Sequence, residues 1–167
     1  MKTFVTLILA AIATSGIASA QLKVGVLNAQ KAILDTEDIK KAQKDLEAKF
    51  KPRQDEMAKL EKDIQDLQAQ LQSGKLNQLG EQDVAAQGQK KQRQLQRLQQ
   101  DLQEDVDRER NDILLRAGTR MQDVVKKLAE QKGLDLVIDS ANTHYFKPTF
   151  DITADATAAY NTTYPVK

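Results

Sequence analysis

Cysteine and tryptophan are absent from the 167 residues, and histidine occurs once, at His144. Without cysteine the chain can form no disulfide and offers no thiol nucleophile, and a single histidine excludes a His/Cys metal cluster. Ser140 follows Asp139, but no histidine is placed to act as the base of a catalytic triad. His144 is therefore interpreted as a packing or surface residue. We expect no enzyme activity, no metal site and no cofactor.

Aromatic residues are scarce at 4% of the chain, whereas charged residues make up 29%. So few large apolar side chains do not fill a sizeable globular core, but they suit a long, solvated helix pair with a small compact base. The formal net charge is only +1. Because nucleic-acid binding needs a basic patch that the sequence does not show, we expect no nucleic-acid partner.

Long apolar runs are also missing, except near the N-terminus. Residues 1–20 combine a basic start at Lys2, an apolar run from 4 to 13, and the small residues Ala18-Ser19-Ala20. This pattern predicts a secretory signal peptide that is cleaved after Ala20. The alternative is an N-terminal membrane anchor, which the shortness of the apolar run disfavours.

What the chain has in abundance is helical periodicity, over residues 38–131. Apolar residues spaced 3 and 4 apart form a narrow seam of the coiled-coil type, first in Ile39, Leu46, Phe50, Met57, Leu60, Ile64, Leu67 and Leu71. A second set follows in Leu95, Leu98, Leu102, Val106, Leu114, Ala117, Met121, Val124 and Leu128. Glycines and a loss of period between the sets predict a turn within residues 73–82, and hence an antiparallel hairpin. The competing arrangement is one continuous helix in a parallel dimer. Pro52 interrupts the first seam and is predicted to be a kink or hinge.

Short segments flank this hairpin. The alternation of Leu22, Val24 and Val26 predicts a strand. Asn28 is predicted to cap a short helix at residues 29–34, and Gly133 to end the second long helix. Residues 134–139 predict a second strand, 144–146 a third, and 154–160 a final helix. Residues 21–37 and 132–167 would then form a small β-rich body. Because three short strands cannot close a stable sheet, we expect other copies of the chain to complete it.

The predicted fold is thus α+β and mostly α, a long antiparallel helical hairpin projecting from this body. The residues expected to build the shared body are Leu22, Val24, Val26, Leu134, Leu136 and Ile138.

Charge is unevenly distributed along the second half of the hairpin. The turn end is basic, through Lys75, Lys90, Lys91, Arg93 and Arg97. Residues 101–112 form an acidic collar with six acidic and two basic side chains. This uneven charge has two interpretations: it decorates solvated helices, or it forms a basic tip that attracts an acidic partner or an anionic membrane surface.

The opening segment 23–28, the closing segment 134–139 and the stretch Asp151-Ile152-Thr153-Ala154-Asp155, together with the hairpin, resemble the Skp/OmpH family of periplasmic chaperones. The resemblance covers essentially the whole mature length. It implies a periplasmic homotrimer whose three hairpins surround a cavity, in which unfolded outer-membrane proteins are held without ATP. The basic tip would contribute to client binding, and weak contact with an anionic membrane surface is a further expectation. The alternative function is a structural coiled-coil spacer of the cell envelope. The glutamine-rich tip departs from the family in its modest positive charge, so no lipopolysaccharide site is assigned.

Overall fold

The computed structural model describes residues 22–166, so the predicted signal peptide and its cleavage site lie outside the described residues. The chain forms, in order, β1 (Val24–Leu27), α1 (Ala29–Leu34), α2 (Glu37–Gln72), α3 (Gln78–Lys132), β2 (Leu136–Asp139) and α4 (Thr153–Thr163). Two short 3-10 turns, Ser140–Asn142 and Pro148–Phe150, lie between β2 and α4. None of the helices in this part of the chain has a stretch that is both long enough and apolar enough to span a membrane.

Helices α2 and α3 form the long hairpin. Ion pairs that step in opposite directions along the two helices, Asp38–Arg120, Arg53–Asp105 and Asp63–Lys91, show that they are antiparallel. The predicted seam is buried between them at Ile39, Phe50, Leu60, Ile64, Leu102 and Ala117. The mostly helical α+β fold with an antiparallel hairpin is confirmed.

The ends of the hairpin helices follow local capping chemistry. Thr36 accepts a hydrogen bond from the backbone of Ile39 and begins α2, and Asn77 accepts one from Gly80 and begins α3. Residues 73–77 connect the helices and contain Gly74, whose φ of 63° suits glycine. Helix α2 continues through Pro52 without interruption. Whether Pro52 acts as a hinge stays a prediction.

The body is a two-stranded sheet backed by helices. Strands β1 and β2 run parallel with Val24 opposite Leu136, and the whole hairpin is the crossover connection that parallel strands require. Beneath the sheet, the core joins Leu27 to Met121, Val124 and Leu128 of α3 and to Ile152, Ala156 and Tyr160 around α4. A Cβ at Gly25 would lie 2.9 Å from Leu134 and 3.1 Å from Ile152, so glycine lets these two side chains pack closely against the strand.

The predicted third strand at residues 144–146 is wrong. These residues are irregular, and the second edge of β1 is instead met by an isolated bridge from Asp151 to Val26, with Ile152 N–H donating to the Val26 carbonyl at 2.9 Å. The segment before it is shaped by turn chemistry: Asp139 accepts a hydrogen bond from Ala141, and Pro148 begins a 3-10 turn. Aromatic side chains at 145 and 146 favoured a strand locally, but no free edge of β1 was left for them.

Leu134 also lies elsewhere than predicted. It follows the left-handed Gly133 that ends α3, precedes β2, and packs against the core of its own chain. Its backbone N–H donates to the Ala129 carbonyl at 2.9 Å, which closes the helix end. Leu134 is therefore a body residue of the internal face, and it does not lie in the strand.

Candidate functional site

Ion pairs between α2 and α3 fasten the middle of the hairpin. Arg53 lies 2.6 Å from Asp105 and Lys91 lies 2.7 Å from Asp63, while Lys49 pairs with Glu109. The hydrogen bond from Lys91 holds the pKa of the Asp63 carboxyl below its ordinary value, and the Arg53 guanidinium does the same for Asp105. Because these side chains remain partly exposed, the pairs fix the register of the helices more than they stabilise the fold. Part of the acidic collar thus has a role that sequence reasoning did not assign.

The structure divides the predicted basic tip. Lys91 is committed to Asp63, and Arg97 lies 3.8 Å from Asp101. Lys75, Lys90 and Arg93 form no ion pair within residues 22–166, and their side chains are exposed. These three cations are the part of the basic tip that remains available to a partner.

At the other end of the arm, three elements meet at one carboxylate. An oxygen of Asp38 in α2 accepts hydrogen bonds from the Arg120 guanidinium of α3 and the Tyr160 hydroxyl of α4, each at 2.9 Å. We call Asp38, Arg120 and Tyr160 the root clamp. Arg120 also lies over the Tyr164 ring at 4.9 Å, a cation–π contact. Tyr160 is fully buried, and this burial raises the pKa of its phenol. The root clamp therefore attaches the terminal helix to both helices of the arm.

Beside the root clamp, side chains of α1, α2 and α3 line an apolar groove, which we call the root groove. Its volume is about 420 Å³. Its apolar lining comes from Leu34, Ile39, Ala42, Leu46, Phe50, Val106, Ile113 and Leu114. Its polar rim is Gln43, Glu47, Gln54 and Arg110, all exposed. Sequence reasoning did not find this groove, although the consecutive Ile113-Leu114-Leu115 signalled a wider apolar face at this point of α3.

The sheet presents an outer face, opposite the core. Since side chains alternate along a strand and Gly25 faces the core, Val24 and Val26 point outward together with their register partners Leu136 and Ile138. Leu136 remains 45% exposed and Leu22, which precedes β1 with the same alternation, 62% exposed. Five of the six predicted body residues thus belong to this outer face, and Leu134 does not. Val26 is already buried within its own chain.

The expected absence of catalytic chemistry can be compared with the geometry. Between residues 22 and 166 no three side chains of the His, Cys, Asp or Glu type come together as a metal site. His144 is exposed, and Asp139 is engaged as the acceptor for the Ala141 backbone, 2.8 Å away. In the described chain the features with functional potential are surfaces: the basic tip, the root groove and the outer face.

Comparisons with known proteins agree with one another. A family model described as "Outer membrane protein (OmpH-like)" matches residues 23–160. The chain is 31% identical to the Skp-like protein of Pseudomonas aeruginosa over 88% of its own length and 89% of that relative. It is 34% identical to the protein named Chaperone protein Skp of Pectobacterium atrosepticum, over 86% and 88% of the two chains. Among solved structures, an OmpH-like protein from Caulobacter crescentus superposes with a TM-score of 0.74 over 89% of both chains at 17% identity, which supports the fold.

Proposed function

The chain belongs to the OmpH-like family, and we propose that it is a periplasmic chaperone that holds unfolded outer-membrane proteins. The observation that carries the proposal is the match over nearly the whole chain to proteins named as the chaperone Skp. The hairpin agrees with it, since a long arm with exposed grooves and cations suits binding to an extended partner. The predicted signal peptide supports a periplasmic location for this activity.

The proposed assembly is a homotrimer. Leu22 and Leu136 expose apolar surface on the outer face. Within residues 22–166 the sheet has only two strands, fewer than an independently stable sheet needs. Tyr145 and Phe150, 82% and 40% exposed, add aromatic surface to the same body. Association of copies through the outer face would bury this surface and direct several arms the same way.

Holding then depends on many weak contacts and needs no ATP. Each arm offers the root groove and, at its far end, the unpaired cations Lys75, Lys90 and Arg93. Contacts of this kind are individually weak, but several arms acting on one chain bind it tightly through their combined effective concentration. Diverse clients are tolerated because no single contact is essential.

An aggregation assay tests the holding activity. A urea-unfolded β-barrel membrane protein is diluted into buffer without nucleotide, and light scattering is followed with and without the mature chain. We expect scattering to be suppressed at about one trimer per client. Unchanged scattering at that ratio contradicts the chaperone function.

Sedimentation tests the trimer separately. Leu136→Asp places a charge on the outer face and is expected to yield monomers, because a charge would be buried in the shared sheet. Val26→Asp should also abolish the trimer, but Val26 is buried in its own chain, so Leu136 gives the cleaner result. Leu115→Asp, which changes an exposed leucine of α3 away from the sheet, is the matched control. A trimer that survives Leu136→Asp would exclude the outer face as the interface.

The contribution of the basic tip to client binding can be measured separately. Replacing Lys75, Lys90 and Arg93 with glutamine is expected to weaken client binding at low salt and to have little effect at high salt, since screening shortens the reach of exposed charges. Flotation of the wild type and this variant with anionic vesicles tests the weaker expectation of membrane contact.

A further inference from the structure

We propose that the root groove binds extended segments of the client in which apolar and polar residues alternate, the pattern of an unfolded transmembrane β-strand. The inference rests on the proposed chaperone function and deepens it, because it assigns a specific part of each arm to a specific kind of client segment.

The dimensions of the root groove suit a small number of apolar side chains. Its volume of about 420 Å³ lies within the range of pockets that bind ligands, roughly 300–1,000 Å³. Along α2 its lining extends from Ile39 to Phe50, about 16 Å at the rise of an α-helix. Alternate residues of an extended chain are about 6.7 Å apart, so two or three side chains from one face of such a segment fit along the groove.

The apolar lining is available because the coiled-coil seam is incomplete here. Phe50 and Ile39 are buried by their own chain, but Leu46, Val106, Ile113 and Leu114 are only half-buried, and Leu34 is 38% exposed. Small Ala42 lies on the α2 side of the lining and leaves space that a larger seam residue would fill. An apolar client side chain placed in the groove would bury surface that the folded chain leaves exposed to water.

The charges of the rim select an uncharged, extended occupant. Glu47 and Arg110 form no ion pair within the described residues, and Gln43 and Gln54 provide amide donors and acceptors beside them. One acid and one base leave the rim neutral, which suits a membrane strand with few charges. The amides and the two charges can pair with the backbone N–H and C=O groups that an extended segment leaves unpaired. A second copy of this chain is a less suitable occupant, because the outer face already provides apolar surface for self-association.

Two labelled peptides of about ten residues, the length of a transmembrane strand, test the inference. In one, leucine or valine alternates with threonine or serine, and the other has the same composition with its apolar residues in one block. Fluorescence anisotropy measures their binding to the assembled mature protein. We expect the alternating peptide to bind more tightly, and a photocrosslinker at an apolar position to label residues 34–54 or 106–114.

Matched variants connect binding to the root groove. Ile113→Gln makes the lining polar and is expected to weaken binding of the alternating peptide about fivefold or more. Leu115→Gln, two residues along the same helix but 72% exposed outside the groove, is expected to bind like the wild type. Ala42→Phe fills the groove without removing a packing group and should weaken binding similarly, so the test remains decisive if Ile113→Gln unfolds.

Several results would overturn the inference. These are equal affinity for the two peptides, crosslinks elsewhere on the chain, or wild-type binding by Ala42→Phe and a folded Ile113→Gln. Loss of the trimer in both variants would show instead that the root groove is a contact between copies. If the variants still suppress client aggregation and bind peptide normally, the inference fails while the chaperone function stands. If the wild type does not suppress aggregation, the chaperone function itself fails.

Discussion

Removing the carboxylate of the root clamp tests how the arm is attached to the body. Tyr160 is fully buried, and its hydroxyl donates to Asp38 at 2.9 Å. Asp38→Ala leaves that hydroxyl buried without an acceptor, which costs about 1–3 kcal/mol. The Arg120 side chain also loses its partner but is 43% exposed, so solvent replaces most of that interaction. We expect the free energy of unfolding to fall by about 2 kcal/mol.

Tyr160→Phe removes the other side of the same hydrogen bond. The Asp38 side chain is 37% exposed and keeps Arg120 as a partner, so the expected loss is smaller, about 1 kcal/mol. In the double variant no donor is left buried without an acceptor. Its loss should therefore be less than the two single losses together, by about 1 kcal/mol.

Thermal unfolding followed by circular dichroism measures these differences, at one fixed protomer concentration because the proposed assembly is oligomeric. A loss of 2 kcal/mol corresponds to a lower Tm by about 4–8 °C for a chain of this size. Asp66→Ala, which removes an α2 carboxylate with no ion pair among residues 22–166, controls for the loss of an acidic helix residue. Single losses that simply add in the double variant would refute the reasoning, because they would show that the hydroxyl and the carboxylate act independently.

Three further predictions concern the arm. Gly88→Ala should raise the free energy of unfolding by about 1 kcal/mol, since Gly88 is helical with open space beside it. Gly74→Ala should lower it, because φ at Gly74 is 63°. Urea titrations in which both variants change the free energy of unfolding in the same direction would contradict this prediction. Asp105 has a lowered pKa in the folded arm, so its contribution to stability is present above the ordinary value of 3.8 and is lost as pH falls below it. The Tm should therefore drop on acidification from pH 5 to pH 3, and it should drop less steeply in Asp105→Asn. If Tm falls equally steeply with pH in both proteins, the Arg53–Asp105 pair does not cause the loss. Pro52→Ala restores the backbone donor to the Ala48 carbonyl and should add about 3 kcal/mol of stability. It should also narrow the distribution of distances between spin labels placed across the arm. A distribution of unchanged width would count against a hinge at Pro52.

Periodicity and capping were enough to predict the arm, because both are local. A 3.5-residue repeat identified Leu60, Ile64 and Leu102 as seam residues, and all three are buried. Asn28 and Gly133 cap their helices as predicted, by side-chain acceptance and by a left-handed backbone. These features follow from the geometry of a few consecutive residues, so no knowledge of the tertiary fold was needed.

The remaining errors and omissions involve distant partners. The strand predicted at 144–146 fails because residues 151–152 occupy the second edge of β1, which a local β propensity does not reveal. The root clamp joins residues 122 positions apart, and neither Asp38 nor Tyr160 differs in sequence context from other acidic or aromatic residues of the chain. The root groove depends on Leu34 of α1 lying beside Ile113 and Leu114 of α3. Only the consecutive apolar residues at 113–115 signalled it.

The arm is held by different contacts at its root and at its tip, and this difference bears on how a holding arm would work. At the root, α3 is buried in the core at Met121 and Val124, and the root clamp fixes both helices to α4. The middle is held by the exposed pairs of Arg53 and Lys49, one on each side of Pro52. Towards the turn the seam still buries Ile64 and Val84, but within residues 22–166 no element of the body reaches this end of the arm. Because the body core and the root clamp add contacts that the turn end lacks, we expect the tip to open first and the root last. In the proposed trimer, such arms would keep a fixed base while the open end adapts to clients of different size, and we expect the open end to widen before the subunits separate.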